Sequence, residues 1–174
     1  AYAAVSGGIL VPKQLGSRSS YSKAAIGGNR GQALHAGDIL LCQETSAEIP
    51  TEFKATKQWP QEDGVIRVIL GPQNDHFTEG ALKQFFSQAW TIGRQTDRMG
   101  MRLEGLALTH NQLGADIISD GVTPGSIQVP ANGQPIILLA DCQTSGGYPK
   151  IATVISADLS KLAHKRPGEV LRFI

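Results

Sequence analysis

The sequence predicts a mainly β protein that closes into a barrel. Glycine makes up 20 of the 174 residues and charged residues 18%, against a usual ~7% glycine and ~25% charged residues, which indicates a chain rich in turns. The apolar residues come in short runs separated by glycine, proline and asparagine, and helical periodicity is rare. Because many short strands leave edges that must be paired or covered, a closed barrel with one or two short helices is favoured over a sandwich.

Residues 1–63 are predicted to form an N-terminal β segment, the remainder of a preceding β subdomain, followed by a linker. Short apolar runs alternate here with glycine-rich turns, and we expect the run at 39–42 to enter a core. Residues 43–63 are polar and aperiodic, and the composition changes at Gly64, so we place a domain boundary near Asp63. Because the chain lacks an initiator methionine and has strand character from its second residue, we expect it to begin inside a longer polypeptide.

Two helices are predicted within the barrel domain, residues 64–174. Thr78 is a suitable N-cap for the first, in which the apolar residues recur at the spacing of one helical face. That predicted stripe consists of Leu82, Phe85 and Phe86. The second helix is short and follows Ser156 or Asp158 as its cap, with Leu159 and Leu162 facing inward.

The strands of this domain follow from alternation and turn chemistry. The run VIRVIL at 65–70 is β-branched, and residues 98–104 alternate between charged and apolar side chains. Asn132 and Gly133 predict a hairpin between two further apolar runs, which makes the pattern antiparallel. Strands are also expected at 151–157 and at the C-terminal end of the chain.

Charge and cysteine content exclude several classes of function. Sixteen Lys and Arg against fifteen Asp and Glu give a net charge of +1, too small to recruit nucleic acid or an anionic membrane. No apolar run reaches the ~20 residues of a membrane helix, and the first residues given lack the basic region and long apolar stretch of a secretory signal. Cys42 and Cys142 lack CxxC partners and the four histidines are scattered, so neither a disulfide framework nor a metal site is indicated. We therefore expect a soluble, reduced, cytoplasmic protein.

The segment 119–159 is the strongest candidate for a site, because uncharged polar residues lie among residues that should be core. Each buried polar group left unpaired costs ~1–3 kcal/mol, so such residues indicate a ligand or a dense hydrogen-bond network. These polar residues are Gln128, Gln143, Thr144 and Tyr148.

Gln128, Tyr148 and Lys150 are the candidate catalytic residues. Two orientations of Gln128 are open: it points outward from a strand that Pro130 ends, or, if Ile127 and Val129 face a covered outer shell, alternation points it into the barrel lumen. In the lumen its amide can bind an amide ligand. Tyr148 and Lys150 are two residues apart and can share one face, so that they could polarise or protonate a substrate.

The charged residues Asp97, Arg98, Arg102 and Glu104 leave two alternatives open. They are either solvated strand charges or an anion clamp completed by the later polar strand. The planar guanidinium can grip a carboxylate bidentately, and Arg102 is the preferred clamp. The candidate substrate-binding residues are Arg98, Arg102, Glu104, Gln143 and Thr144.

Several blocks in order carry a resemblance to a known family. They are RVILGPQNDHF, TDRMGMRLEG, SDGVTPGSIQVPANGQPIILLADCQTSGGYPKIATVISADL and RPGEVLRFI. Together they resemble the carboxyltransferase-type family that includes the 5-oxoprolinase C subunit, allophanate hydrolase subunit 2 and Kip-type antagonists. Two positions depart from the family pattern: Cys142 stands where arginine is expected, and Met101 where tyrosine is common.

The resemblance implies a cyclophilin-like β-barrel over the second unit and the C-terminal part of a longer protein. It implies a subunit of an ATP-dependent 5-oxoprolinase complex that hydrolyses the 5-oxo-L-proline lactam to L-glutamate. Subunit-A-like and subunit-B-like proteins would be the partners, and ATP would be bound mainly by another subunit. The alternatives are a carboxyltransferase-type subunit of a urea or allophanate pathway, and a non-catalytic protein-binding regulator of the Kip type.

Overall fold

A computed structural model describes residues 4–46 and 64–174 of the chain. The chain divides into two compact units, Ala1–Gln58 and Trp59–Ile174. The predicted boundary near Asp63 and most of the predicted linker lie outside the described residues.

The first unit holds turns and isolated bridges where short strands are predicted. Two 3-10 turns, Ser22–Ala24 and Gly28–Gly31, lie among β-bridges such as Ile9 to Cys42. Among residues 4–46 only Gly31 is buried. The prediction that residues 39–42 enter a core is therefore wrong for this structure: Ile39 is 87% exposed, because the described part of this unit offers no apolar layer to cover it.

The second unit is a barrel of short strands with two helices. The strands are β1 Val65–Ile66, β2 Val68–Leu70, β3 Trp90–Ile92, β4 Gly100–Glu104, β5 Asp120–Gly121, β6 Ser126–Gln128, β7 Ile136–Leu138, β8 Ser145–Gly146, β9 Lys150–Val154 and β10 Val170–Phe173. The helices are α1 Glu79–Ser87 and α2 Leu159–Ala163. Eight strands form one sheet in the order β1-β10-β3-β4-β7-β6-β9-β2, and β5 pairs with β8 in a separate sheet.

The sheet nearly closes on itself because one segment supplies both of its edges. β1 pairs with β10 in parallel, while β2 pairs with β9 in antiparallel orientation. The two strands are separated only by Arg67, whose backbone N–H donates to the Asp158 carboxylate at 2.9 Å instead of to a strand. The predicted mainly β barrel with short helices is confirmed.

Helix α1 begins as predicted at Thr78, whose hydroxyl accepts from the backbone N–H of Ala81 at 3.1 Å. Phe85 is fully buried and stacks on Phe173 with 4.5 Å between ring centroids. Phe86 is exposed, which differs from the predicted stripe, because it lies beside Phe85 on the edge of the buried face.

Helix α2 has no side-chain cap, although Ser156 or Asp158 is predicted to supply one. Asp158 is fully buried and both of its carboxylate oxygens bind the guanidinium of Arg67, at 2.6 and 3.0 Å. A bidentate charged pair satisfies a buried carboxylate better than one backbone N–H does. Leu162 packs inward as predicted, and Leu159 is partly buried against the core. Within the described ranges, no helix has the length and apolar character needed to cross a membrane.

Candidate functional site

Four side chains lie in one row on the outer face of the barrel. Arg102 of β4 pairs with Ile136 of β7, which pairs with Gln128 of β6, which pairs with Lys150 of β9. Residues directly opposite each other in a ladder point to the same face of the sheet. The row therefore places the clamp candidate Arg102 and the catalytic candidates Gln128 and Lys150 on a common surface.

This surface is the outside of the barrel, which corrects the predicted orientation of Gln128. Ile127 and Val129 belong to the hydrophobic core together with Met101, so Gln128, between them, points away from the lumen. Gln128 is nevertheless only 2% exposed. Its burial comes from a cover outside the barrel.

The cover is the two-stranded sheet of β5 and β8. Asp120 pairs with Gly146 and Gly121 with Ser145, and this sheet lies over Gln128. The amide Nε2 of Gln128 donates to the carbonyl of Tyr148 at 3.2 Å. A Cβ at Gly146 would lie 2.4 Å from that Nε2, so the approach of the cover to Gln128 requires glycine.

We expect Gly146→Ala to lower the free energy of unfolding by about 1 kcal/mol, because the Gln128 amide must move and lose its bond to the Tyr148 carbonyl. Urea unfolding of the full-length protein measures the change. Gly121→Ala is the matched control on the same small sheet, since a Cβ there meets nothing within 4 Å. Equal stabilities of the two variants would contradict the proposed contact.

Lys150 lies beneath this cover and is fixed by Asp120. Its side chain is 5% exposed, and its ammonium donates to Asp120 Oδ2 at 2.5 Å and to the Gly121 carbonyl at 2.8 Å. Gln73 completes the cluster: its Nε2 donates to the same Asp120 oxygen, and its Oε1 accepts from the Lys150 backbone N–H, both at 3.2 Å. We call Gln73, Asp120, Gln128 and Lys150 the lysine cluster.

The charges of the lysine cluster favour hydrogen-bond donation over base catalysis. The bond from Lys150 lowers the pKa of Asp120 below its ordinary value, so this carboxylate is ionised at neutral pH and is a weak base. An ammonium group has three donors. Two are bonded to Asp120 and Gly121, and the third is not used within the lysine cluster.

The other candidates on the 143–148 loop are exposed. Gln143, Thr144 and Tyr148 all lie at the surface, and Tyr148 contributes its backbone carbonyl to Gln128. The Thr144 carbonyl accepts from the Val122 backbone N–H at 3.0 Å, which ties this loop to the cover.

Arg102 and Glu104 line a separate cavity of about 670 Å³. We call it the arginine cavity. Its lining consists of Thr91, Ile92, Gly93, Arg94, Gln95, Arg102, Leu103, Glu104, Asn132, Gln134, Pro135, Ile136, Pro167 and Gly168. Arg98 is not part of it, because its guanidinium binds both oxygens of Asp141 at 2.6 and 2.9 Å.

The structure therefore does not bring the predicted residues into one site. Arg102 and Lys150 are three strands apart in the row, and at ~4.8 Å per strand their Cα atoms are roughly 14 Å apart. The Lys150 ammonium is held by Asp120 and Gly121 beneath the cover, whereas Arg102 lines the arginine cavity. The lysine cluster and the arginine cavity are two sites on one face.

The two departures from the family pattern fall outside both sites. Met101 is buried in the barrel core, and Cys142 is half-buried beside Asp141. Burial raises the pKa of the Cys142 thiol, so it is protonated at neutral pH and a poor nucleophile.

The sequence interpretation missed Gln73, Arg94 and Asp120. Asp120 lies 30 positions from Lys150 and Gln73 lies 77 positions away, so no local spacing relates them. The sequence offered one signal for each of these two residues. Gln73 lies in the polar turn GPQNDHF directly after a strand, and Asp120 is the aspartate of SDG before a turn. Arg94 follows Gly93, directly after β3, and belongs to none of the motifs from which the sequence sites were predicted.

Known proteins are similar to this chain in sequence and fold. The chain is 39% identical to the C subunit of 5-oxoprolinase from Escherichia coli (strain K12) over 175 residues, which is 99% of this chain and 55% of that protein. It is 40% identical to the C subunit of 5-oxoprolinase from Haemophilus influenzae, over 99% of this chain and 54% of that protein. This chain thus spans about half the length of these relatives.

A solved structure, the Kluyveromyces lactis urea carboxylase, superposes with a TM-score of 0.80 at 26% identity, covering 97% of this chain and 17% of that one. The family model described as carboxyltransferase domain, subdomain A and B, matches residues 1–174. The chain belongs to the carboxyltransferase domain family.

Proposed function

We propose that the chain is a subunit of an ATP-dependent 5-oxoprolinase complex, which hydrolyses the 5-oxo-L-proline lactam to L-glutamate. The identity of 39% and 40% to two 5-oxoprolinase C subunits over nearly the whole chain carries the proposal. Subunit-A-like and subunit-B-like proteins complete the complex, and ATP is bound mainly by one of them.

The chemistry of the lysine cluster supports a role in lactam cleavage. Attack on an amide carbonyl places negative charge on its oxygen, and a positioned cationic donor stabilises that charge. Lys150 is such a donor, held in place by Asp120 and Gly121. Gln128 lies on the strand next to that of Lys150. Its amide is beside the 143–148 loop, which carries the exposed Tyr148.

The proposal assigns three tasks to the residues of this site. Lys150 polarises the lactam carbonyl, Asp120 keeps the ammonium oriented, and Gln128 holds the 143–148 loop through the Tyr148 carbonyl. The substrate carboxylate, which the sequence assigns to Arg98 or Arg102, needs another partner, because Arg98 is paired with Asp141 and Arg102 lines the separate arginine cavity.

Reconstitution tests the proposal. The full-length protein is purified with its subunit-A-like and subunit-B-like partners, supplied with 5-oxoproline and ATP, and assayed for glutamate. We expect glutamate formation that needs ATP and stops when this chain is omitted. Glutamate formation at the same rate without this chain would refute its role.

A carboxyltransferase role in a urea or allophanate pathway is the second candidate, favoured by the TM-score of 0.80 to a urea carboxylase. The same preparation is offered urea and bicarbonate in a parallel assay. ATP-dependent consumption of urea there, with no glutamate formed from 5-oxoproline in the first assay, would select this candidate over the first.

A further inference from the structure

The floor of the arginine cavity is the polar outer face of β3 and β4. Thr91 pairs with Glu104 and Ile92 with Leu103, so the buried pair Ile92 and Leu103 alternates with a polar pair on the outside. Gly93 then lies beside Arg102, and its backbone N–H donates to the Arg102 carbonyl at 2.8 Å. The barrel core therefore fixes the backbone from which the cavity's charged side chains project.

Two arginines enter this cavity without a counter-ion of their own. Arg94 and Arg102 make no hydrogen bond or ion pair through their side chains with any residue that the structure describes. Arg98 and Arg67, in the same unit, each grip an aspartate with two bonds. The guanidinium donors of Arg94 and Arg102 are thus available for a ligand, and a guanidinium fork matches the oxygen pair of a carboxylate or phosphate.

Glu104 supplies the one acidic side chain of the lining, so the lining carries a net positive charge. Its carboxylate lies against Gly93, where a Cβ would come within 2.7 Å of Oε1. A carboxylate at this position accepts hydrogen bonds only, so it can bind a hydroxyl or ammonium group next to the anionic group of a ligand.

One wall of the cavity is tied together by side-chain hydrogen bonds. The Gln134 side chain bonds both the N–H and the carbonyl of Gly105 at 3.0 Å. The Asn132 side-chain carbonyl oxygen accepts from the Gln134 backbone N–H at 3.1 Å, within the hairpin turn. A wall held by its own hydrogen bonds loses little entropy when a ligand binds.

We infer that the arginine cavity binds a small anionic molecule through a phosphate or carboxylate group, at a site separate from the lysine cluster. Its volume of about 670 Å³ lies within the ~300–1,000 Å³ range of small-molecule pockets. The inference does not depend on the proposed lactam hydrolysis, since it concerns different residues of the barrel surface.

Calorimetric titration of the full-length protein tests this site with three probes: pyrophosphate, ATP and L-glutamate. We expect at least one probe to bind, and Arg94→Gln and Arg102→Gln each to weaken it by about 10-fold or more, the loss of a charge-assisted bond. Binding of pyrophosphate and ATP identifies a phosphate ligand, and binding of glutamate alone identifies a carboxylate ligand.

Two controls separate this site from general charge effects and from the lysine cluster. Arg172→Gln removes an exposed arginine outside the cavity lining, and we expect unchanged affinity. Lys150→Met also keeps the affinity for pyrophosphate, which is neither a substrate nor a product of the proposed lactam hydrolysis. The inference fails if no probe binds at about 10 mM, or if the arginine variants bind as the wild type does. It also fails if Lys150→Met abolishes the binding of pyrophosphate.

Discussion

Lys150→Met is expected to lower ATP-dependent glutamate formation by about 10²–10³-fold in the reconstituted complex, the loss typical of one removed oxyanion donor. The proposed function requires the ammonium group that Asp120 and Gly121 hold beneath the cover. Methionine keeps an unbranched stem of similar length in this buried position, so the substitution removes the charge and little packing.

The fold should survive this substitution. Asp120 is 51% exposed and stays hydrated when its partner is lost, so we expect only a small change in the free energy of unfolding. Thermal unfolding of the variant checks this point before the rate is measured.

Two further variants sharpen the result. Lys83→Met is the matched control, because Lys83 is exposed on α1, away from the lysine cluster. Lys150→Arg tests whether a compact ammonium is needed, since a guanidinium is wider and differently hydrated. A folded Lys150→Met variant with a rate within about 3-fold of the wild type would remove Lys150 from the catalytic proposal.

Elements with a strong local signal could be predicted from the sequence. The N-cap at Thr78, the alternation of β4 and the hairpin at Asn132 and Gly133 each depend on residues within a few positions of one another. Local backbone preference and side-chain period suffice for such elements.

Contacts between distant segments could not be predicted in this way. Lys150 meets Gln73 and Asp120 only because β9 lies between β2 and β6 and is covered by the β5 and β8 sheet. The prediction that Gln128 points into the lumen was wrong for a related reason. Period-2 alternation separates the two faces of a strand but does not say which face packs against the core. The burial of Gln128 on the outer face depends on the β5 and β8 cover, which pairs residues more than twenty positions apart.

The first unit shows a different limit. Its apolar runs have the composition of strands, and the described residues nevertheless leave Ile39 and Leu41 largely exposed. An apolar run predicts burial only where a second layer is present to pack against it.

Asp158→Asn is expected to lower the free energy of unfolding by about 1–2 kcal/mol at neutral pH. The Arg67 guanidinium, bonded to both oxygens of the buried carboxylate, lowers the pKa of Asp158 from its ordinary value of 3.8 to about 2. A difference of this size corresponds to about 2 kcal/mol of stabilisation, and the 52% exposure of the Arg67 side chain reduces it through solvent screening.

The pH dependence follows from the direction of this shift. Because the pKa of Asp158 is lower in the folded protein than in the unfolded chain, its stabilisation is complete above about pH 4. It decreases as the pH falls, and it is lost as the pH passes through the folded value of about 2. Asparagine does not titrate, so the stability difference between wild type and Asp158→Asn should narrow over this same range.

Urea unfolding of both proteins at neutral pH and at several values between about pH 4 and pH 2 measures that difference. Asp116→Asn, at an exposed position, is the matched control and should change stability little. The Arg67 pair also joins the start of α2 to the segment that supplies both edges of the sheet. If the stability difference is the same at every pH, the stabilisation does not come from the ionised carboxylate, and the closure of the barrel at Arg67 must depend on backbone contacts alone.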